Sequence, residues 1–501
     1  MKKMILVSLV SDQTIPNILA IHHFKPDELL FISTKKMEDS GKTLAILNTL
    51  DRLGLKYRSD SIIVQEDSIL DCHRQIDEWI AGKDAGKEAG AVVKGADNDA
   101  NAHTDADADT DVDADEGADK NSEFREDTEF VVNLTGGTKI MSIAAYEFFK
   151  DYSSKMIYIP LPEGSKPRNE FIMPFPKKSP GKPTDLDLRL SVTQYVTAYG
   201  LKVVNENKLE DYRKVANQQK NLSEWIVGNY DKLKNLLLWL CSELRLHRKE
   251  KAFEFTGNFS ITTQEETVFL SRFGFTCSDG RITRRLGGSD IKYLTGGWLE
   301  EFCFNKISEW VGRGIDDVVL GLQLRNRNDR ENEFDVMFTK DNALYFMECK
   351  SLDQDEDKDA SHALYKVGAL QREFGLRVGS FFVTTSPYIL KDGEVREAIQ
   401  TRSEQFKTKI ISPSDIGQLK EIIAQELKIV NPINPISPIN PINPINQINR
   451  INPINQIQQG EINIRHEEFD NEEFNNEGFD INQGEFATNQ RESNGPKGEL
   501  N

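Results

Sequence analysis

The chain has 501 residues and a formal net charge of −19, room for two or three domains and a balance that by itself argues against a nucleic-acid partner. The charge is uneven, however: residues 84–122 carry −9 and residues 431–501 carry −7, which leaves −3 for everything else. Five scattered cysteines without a CxxC pair, no secretory signal and no apolar run of about 18 residues point to a reduced cytoplasmic protein with no membrane partner.

From Met4 to Pro162, strand-like runs at 4–10, 28–34, 61–65, 129–134 and 155–161 alternate with helical patterns at 16–24, 40–53, 68–82 and 138–152. Alternation of this kind predicts an α/β fold with a parallel sheet covered on both faces, a Rossmann-like domain over residues 1–162. Its ligand crevice is expected beyond the carboxyl ends of the strands. Asp-Ala repeats at 84–122 interrupt the unit and read as a solvated, disordered insertion, because like charges repel and little apolar surface is available to bury.

A proline-rich patch at 160–185 marks a boundary. Residues 163–285 form a connecting region with a strand-like start at 186–205 and a helix at 221–244, compatible with a small helical or winged-helix module. Residues 286–428 predict a second α/β domain: a helix at 295–310, strands at 315–325, 333–339 and 343–349, a helix at 360–375, a strand at 377–385, and helices at 393–407 and 414–427. From 429 to 501 run Asn-Pro-Ile repeats and acidic Phe-containing repeats, a low-complexity disordered tail.

Two constellations carry chemistry. Asn133-Leu134-Thr135-Gly136-Gly137-Thr138-Lys139 joins a strand to a helix. Its glycines permit backbone conformations that present amides to an anion at the helix N-terminus, and Thr135, Thr138 and Lys139 add donors. A tight turn with Thr138 as helix N-cap is the plainer alternative. Ser8, Ser11, Asp12, Gln13 and Thr14 follow the first strand and open onto the same side, and two polar loops over one crevice suit a nucleotide.

The second constellation is the strand pair containing Asp335, Glu348 and Lys350. Strand alternation puts Glu348 and Lys350 on one face and Met347 and Cys349 on the other. Two carboxylates with a lysine beside them suit Mg²⁺ or Mn²⁺ and an attacking water, whereas a routine surface hairpin with a Glu–Lys pair is the bland alternative. Arg284, Arg285, Arg325, Arg327 and Arg330 offer charge for a phosphate backbone, or simply a solvated surface.

SLVSDQTIPN, NLTGGTKIMS, GGWLEEFCF and the D…ECK strand pair, in that order, resemble the CRISPR-associated Rossmann-fold (CARF) nucleases of type III CRISPR defence over roughly residues 1–428. The resemblance implies an N-terminal CARF domain, a C-terminal PD-(D/E)xK nuclease domain, and cleavage of single-stranded RNA, single-stranded DNA or both. It also implies a homodimer that binds cyclic oligoadenylate, most often cyclic tetra-adenylate, as its activator. Carried onto this sequence, it names Asn133, Thr135, Gly136, Gly137, Thr138 and Lys139, with Ser11 and Gln13, as ligand contacts. It names Asp335 and Glu348, with the Cys349 carbonyl, as metal ligands, Lys350 as the residue that orients water, and Glu300 as a preceding acid. Glu301 is the alternative to Glu300, Gln371 is either a site residue or surface, and Phe334 stands where the motif's proline is usual. A nucleotide-sensing DNA-binding regulator with an inactive nuclease-like domain is the competing reading.

Overall fold

The computed structural model describes residues 2–84, 127–160, 169–174, 182–351, 357–376 and 378–429; the expectations for the acidic repeats and for the tail beyond 429 lie outside them. The first domain runs β1 (Lys3–Leu9), α1 (Ile15–Phe24), β2 (Glu28–Ser33), α2 (Lys42–Arg52), β3 (Arg58–Ile63), α3 (Ile69–Asp84), β4 (Thr128–Asn133), α4 (Lys139–Phe149) and β5 (Ser154–Ile157). Its five strands are all parallel, in the order β3-β2-β1-β4-β5. The apolar runs of β1 and β4 lie at the centre, buried on both faces as helices on either side require. Strand order reverses between β1 and β4, so the loops after these two strands border the crevice. The expected helix at 40–53 starts late because Gly41 takes a left-handed φ of 53° and separates a five-residue helix at Lys35–Asp39 from α2.

Next come α5 (Val192–Ala198), β6 (Lys202–Val203), α6 (Leu209–Gly228), α7 (Tyr230–Leu244), β7 (Ala252–Asn258), α8 (Gln264–Arg272), β8 (Thr276–Ser278) and β9 (Arg281–Gly287). The strand-like start expected at 186–205 holds the helix α5 at its centre, with only the two-residue strand β6 behind it. Ser191 accepts from the Gln194 amide while the Gln194 side chain accepts from the Ser191 amide, a reciprocal cap that overrides the β-branched composition. The single helix expected at 221–244 is instead two, which meet at Asn229. The antiparallel sheet β8-β9-β7 packs with α6–α8 into the larger apolar core.

The last domain comprises α9 (Trp298–Ser308), β10 (Asp317–Arg325), β11 (Glu331–Lys340), β12 (Ala343–Lys350), α10 (Asp357–Gln371), β13 (Val378–Thr384), α11 (Glu397–Gln405), β14 (Thr408–Ile411) and α12 (Leu419–Glu426). Its six-stranded mixed sheet has the order β14-β13-β12-β11-β10-β6, so a strand of the connecting region closes one edge. β11 and β12 form a hairpin over Asp341-Asn342, both at positive φ (51° and 57°), as a two-residue turn matched to strand twist demands. Asn342 is fully buried and ties the turn to the connecting region by accepting from the Leu190 amide and donating to the Leu188 carbonyl.

One apolar cluster runs from Leu6, Ile18 and Ile46 of the first domain through Tyr195 and Tyr199 to Phe334, Phe346 and Phe374 of the last. Each of these phenylalanines contributes roughly 1.5–3 kcal/mol by leaving water. The two domains therefore share a packed core across the α5 segment.

Candidate functional site: a nuclease centre and a crevice

The β11/β12 ladder pairs Val336 with Met347 and stops there, which leaves Asp335 and Glu348 side by side at its open end. Asp335 uses one carboxylate oxygen to accept from the Cys349 amide at 2.7 Å. Glu348 is 3% exposed, and its Oε1 faces two ammonium groups, Lys350 Nζ at 2.7 Å and Lys366 Nζ at 3.4 Å. Burial alone would raise the Glu348 carboxyl, but Lys350 and Lys366 outweigh it and hold it below the usual range. Asp335 goes the other way: burial, then the charges of Glu348 and Glu300, push it well above the ordinary carboxylate range. Burial disfavours the Lys350 ammonium, yet Glu348, Asp335 and Glu300 hold its proton more tightly than usual.

Glu300 comes from the first turn of α9, which follows a wider turn at Tyr293–Gly297 where Gly296 has φ 139°. A Cβ on Gly296 would lie 2.8 Å from Ser351 Oγ, so the glycine lets the entry to α9 approach the end of β12. The Glu300 charge acts on Asp335 and Lys350. The neighbouring Glu301 instead buries Oε2 without a hydrogen-bond partner, and burial, reinforced by Glu300, pushes its carboxyl up to about 8. Of the two glutamates the structure thus brings Glu300 to the Asp335–Lys350 group. The Cys349 thiol meets Cys303, and that contact and burial, with the charges of Asp335 and Glu300 adding, hold its proton well above the usual range; its backbone amide is what bonds Asp335.

Sequence reasoning missed Lys366 and Lys292. Lys366 lies on α10, and its approach to Glu348 depends on helix rotation that no local motif encodes. Lys292, with about half of its side chain exposed, pairs with Glu333 at 3.5 Å; the surrounding protein opposes its charge, but Glu300, Glu333 and Asp335 hold its proton. Gln371 is brought elsewhere: it donates to Ser380 Oγ at 2.7 Å, within a polar cluster that includes Thr408. The arginines expected to track phosphate are largely engaged. Arg284 pairs with Asp290, Arg285 with Glu254, and Arg325 with Glu331. Arg327 packs against the first domain, its guanidinium 3.1 Å from where a Cβ on Gly41 would stand and 2.9 Å from one on Gly200.

At the β1/β4 crevice, the side chains singled out in the sequence largely build the loops themselves. Asn133 is fully buried; its amide donates to Asn17 Oδ1, and its carbonyl oxygen accepts from the Thr135 amide and hydroxyl. Thr135 Oγ1 also accepts from the Ile159 amide, and Thr138 caps α4 while donating to the Glu66 carbonyl. Gly136 is required by close approach, since a Cβ there would stand 2.0 Å from the Leu9 carbonyl oxygen. Gly137 has φ 70°, the left-handed region. Ser11 accepts from the Gln13 amide, and Gln13 Oε1 accepts from Tyr199 Oη at 3.0 Å and from the Leu376 amide at 3.3 Å. Lys139 is exposed at the start of α4. An exposed lysine, two glycines and a helix N-terminus together suit an anionic ligand.

The acids are all-oxygen donors, and the mutual repulsion that raises Asp335 is the kind a bound divalent cation relieves, so the residues fit Mg²⁺ or Mn²⁺. Among the described residues no group of three or more His, Cys, Asp or Glu side chains is gathered as a self-sufficient metal cage. A cation here would rely on Asp335, Glu348, backbone oxygen and water, in keeping with the hydration that Mg²⁺ retains.

A parallel nucleotide-type α/β domain joined through a shared core to a mixed sheet bearing D…ExK defines a sensor-plus-nuclease class of protein. Comparison with known families gives the same two parts. A model described as the Card1 CARF domain matches residues 5–89 and 87–195, and one described as the Card1-like endonuclease domain matches residues 289–430. The chain belongs to the Card1-like CARF endonucleases. Among solved structures it is similar to Can2 from Sulfobacillus thermosulfidooxidans, solved in complex with cyclic tetra-adenylate, with 17% identity, a TM-score of 0.60, and coverage of 85% of this chain and 99% of that one. It is also similar to protein VC1899 from Vibrio cholerae, with 18% identity, a TM-score of 0.62, and coverage of 85% and 98%. At these identities the likeness is one of fold. No curated protein matches the chain. Among the described residues no helix is long and apolar enough to cross a membrane.

Proposed function

We propose that this endonuclease is activated by cyclic oligoadenylate and cuts single-stranded RNA, single-stranded DNA or both with a divalent metal, as a homodimer in type III CRISPR defence. The observation that carries the catalytic half is the convergence of Asp335, Glu348 and Lys350 where the β11/β12 ladder ends, with Glu300 acting on the same group. The binding half is supported by the Gly136-Gly137 turn and Lys139 at the switch point, and by a relative of the same fold that binds cyclic tetra-adenylate. A two-fold symmetric ring suits two copies of one crevice, each offering the same contacts.

Asp335 and Glu348, with the Cys349 carbonyl, would hold Mn²⁺ or Mg²⁺, which when bound lowers the pKa of water and neutralises charge on phosphate. Lys350 donates to the attacking water or its hydroxide and keeps it aligned with the scissile phosphorus. Lys366 holds Glu348 from the helix side. Glu348 is the buried member of the group at 4% side-chain exposure, while Lys350 and Lys366 stay open to water and substrate at 38% and 46%.

The test is cleavage of labelled single-stranded RNA and single-stranded DNA with Mn²⁺, with and without cyclic tetra-adenylate. Ring-dependent cutting of either substrate is the expected result. A protein that binds the ring and never cuts would instead be a nucleotide-sensing regulator with an inactive nuclease domain.

A further inference from the structure

The loop that follows β1 reaches the nuclease strands through a short chain of contacts. A carboxamide oxygen accepts two hydrogen bonds, and Gln13 Oε1 has both, from Tyr199 Oη at 3.0 Å and the Leu376 amide at 3.3 Å. Thr14 is fixed to the same segment, its Oγ1 donating to the Ala198 carbonyl at 2.5 Å, while Asp12 pairs with Lys42 of α2 at 3.3 Å. Tyr195, on α5 and with its ring 5.3 Å from that of Tyr199, donates to the Phe374 carbonyl at 3.1 Å. Between Phe374 and Leu376, Gly375 has φ 85°, and a Cβ there would stand 2.3 Å from Tyr199 Oη. No residue with a side chain fits there while that contact is kept.

The Phe374 ring carries the contact onward. It is 1% exposed and lies 5.4 Å from the Phe334 ring and 6.2 Å from the Phe346 ring. Phe334 immediately precedes Asp335, and Phe346 is two residues before Glu348 on the same face. The segment 374–376 also directly follows the end of α10, the helix that presents Lys366 to Glu348.

We infer that Tyr199 is a positioning residue that links the crevice loop to the catalytic strands: its hydroxyl and the Leu376 amide latch Gln13, and through Phe374 the latch sets where Asp335 and Glu348 stand. This rests on the ligand-activated reading above and names its route. A ring that draws Gln13 into the crevice must break both hydrogen bonds, so it favours the unlatched arrangement through its differential affinity. The population balance then fixes the sign for a variant. While the latched form dominates, whatever weakens the latch raises the unlatched fraction, so cleavage without ring rises and the Kd for the ring falls by that one factor.

The experiment uses the full chain with Tyr199→Phe, which removes the hydroxyl alone, and with Tyr195→Phe, which releases the Phe374 carbonyl. Ring-free cleavage, ring-saturated cleavage and the Kd for cyclic tetra-adenylate are measured beside wild type. The expected result is a rise of about fivefold in ring-free cleavage and a matching fall in Kd, as for one lost hydrogen bond shifting the latched–unlatched balance, with the saturated rate unchanged. Wild-type values for all three quantities in both variants would overturn the inference. So would a joint loss of binding and cleavage with a lower Tm, which marks damage to the fold only. If wild type itself ignores the ring, the ligand-activated reading fails first, and the inference falls with it.

Discussion

The nuclease centre and the crevice handle polar side chains in opposite ways. At the end of β11 and β12, ionisable groups confront one another: burial and the charges of Glu348 and Glu300 raise Asp335 against the pull of Lys350, and two lysines converge on the buried Glu348. At the crevice, Asn133, Thr135, Thr138 and Ser11 satisfy one another and the backbone, leaving the glycine turn, the α4 N-terminus and Lys139 as the features suited to a ligand. Chemistry needs acids and lysines crowded together, whereas binding a ring across loops needs a fixed backbone shape. One polar motif thus gathers ionisable groups, as the proposed cleavage requires, and the other builds a rigid turn, as the proposed ring binding requires.

Substitutions can break this contrast. Lys350→Ala should lower the cleavage rate by roughly 10²–10⁴-fold, while ring affinity stays within twofold of wild type; single-turnover rates and equilibrium binding read the two effects. Gly136→Ala should act on the scaffold instead, because its Cβ would stand 2.0 Å from the Leu9 carbonyl oxygen. A loss of about 2–3 kcal/mol in denaturant unfolding, with ring binding weakened, is expected. Lys139→Ala should weaken ring binding by about tenfold, as for the loss of one charge-assisted contact, and leave the unfolding midpoint alone. If Lys139→Ala unfolds the domain, the division between scaffold and ligand contact is drawn in the wrong place.

The smallest effect lies away from both sites. Burial would raise the Glu309 carboxyl, but Lys420, Lys220 and Lys306 hold it down to about 2, tying α9 to α6 and α12. A depressed folded-state pKa contributes stability above the unfolded value near 4.5, and that stability disappears as pH falls from about 4.5 toward 2. Glu309→Gln should therefore cost about 1 kcal/mol near neutral pH, after allowance for solvent screening, and flatten the decline of stability in acid. Unchanged acid sensitivity in the variant would show the network to be inert.

What was legible in the sequence was local. The first sheet followed from apolar runs alternating with helices, and D…ExK and TGGTK each lie within one hairpin or one strand–helix turn. The α5 helix was misread because Val, Thr and Tyr look like a strand, although the Ser191…Gln194 cap was there to be seen. The strand Thr408–Ile411 was missed because four residues between helices carry too little pattern. Lys366 on Glu348 depends on how α10 rotates over the sheet, and Tyr199 on Gln13 joins residues 186 apart in sequence. Distances of that kind are set by packing, which periodicity does not report.

On the proposed function, one site binds the ring and a separate site cuts. This division is tested most directly by measuring cyclic tetra-adenylate affinity and ring-stimulated cleavage together for wild type, Lys350→Ala and Lys139→Ala. Lys350→Ala is expected to bind the ring normally and not cut, and Lys139→Ala to cut at the wild-type rate once the ring is raised about tenfold. Loss of ring binding in Lys350→Ala, or wild-type cleavage that ignores the ring, would contradict it.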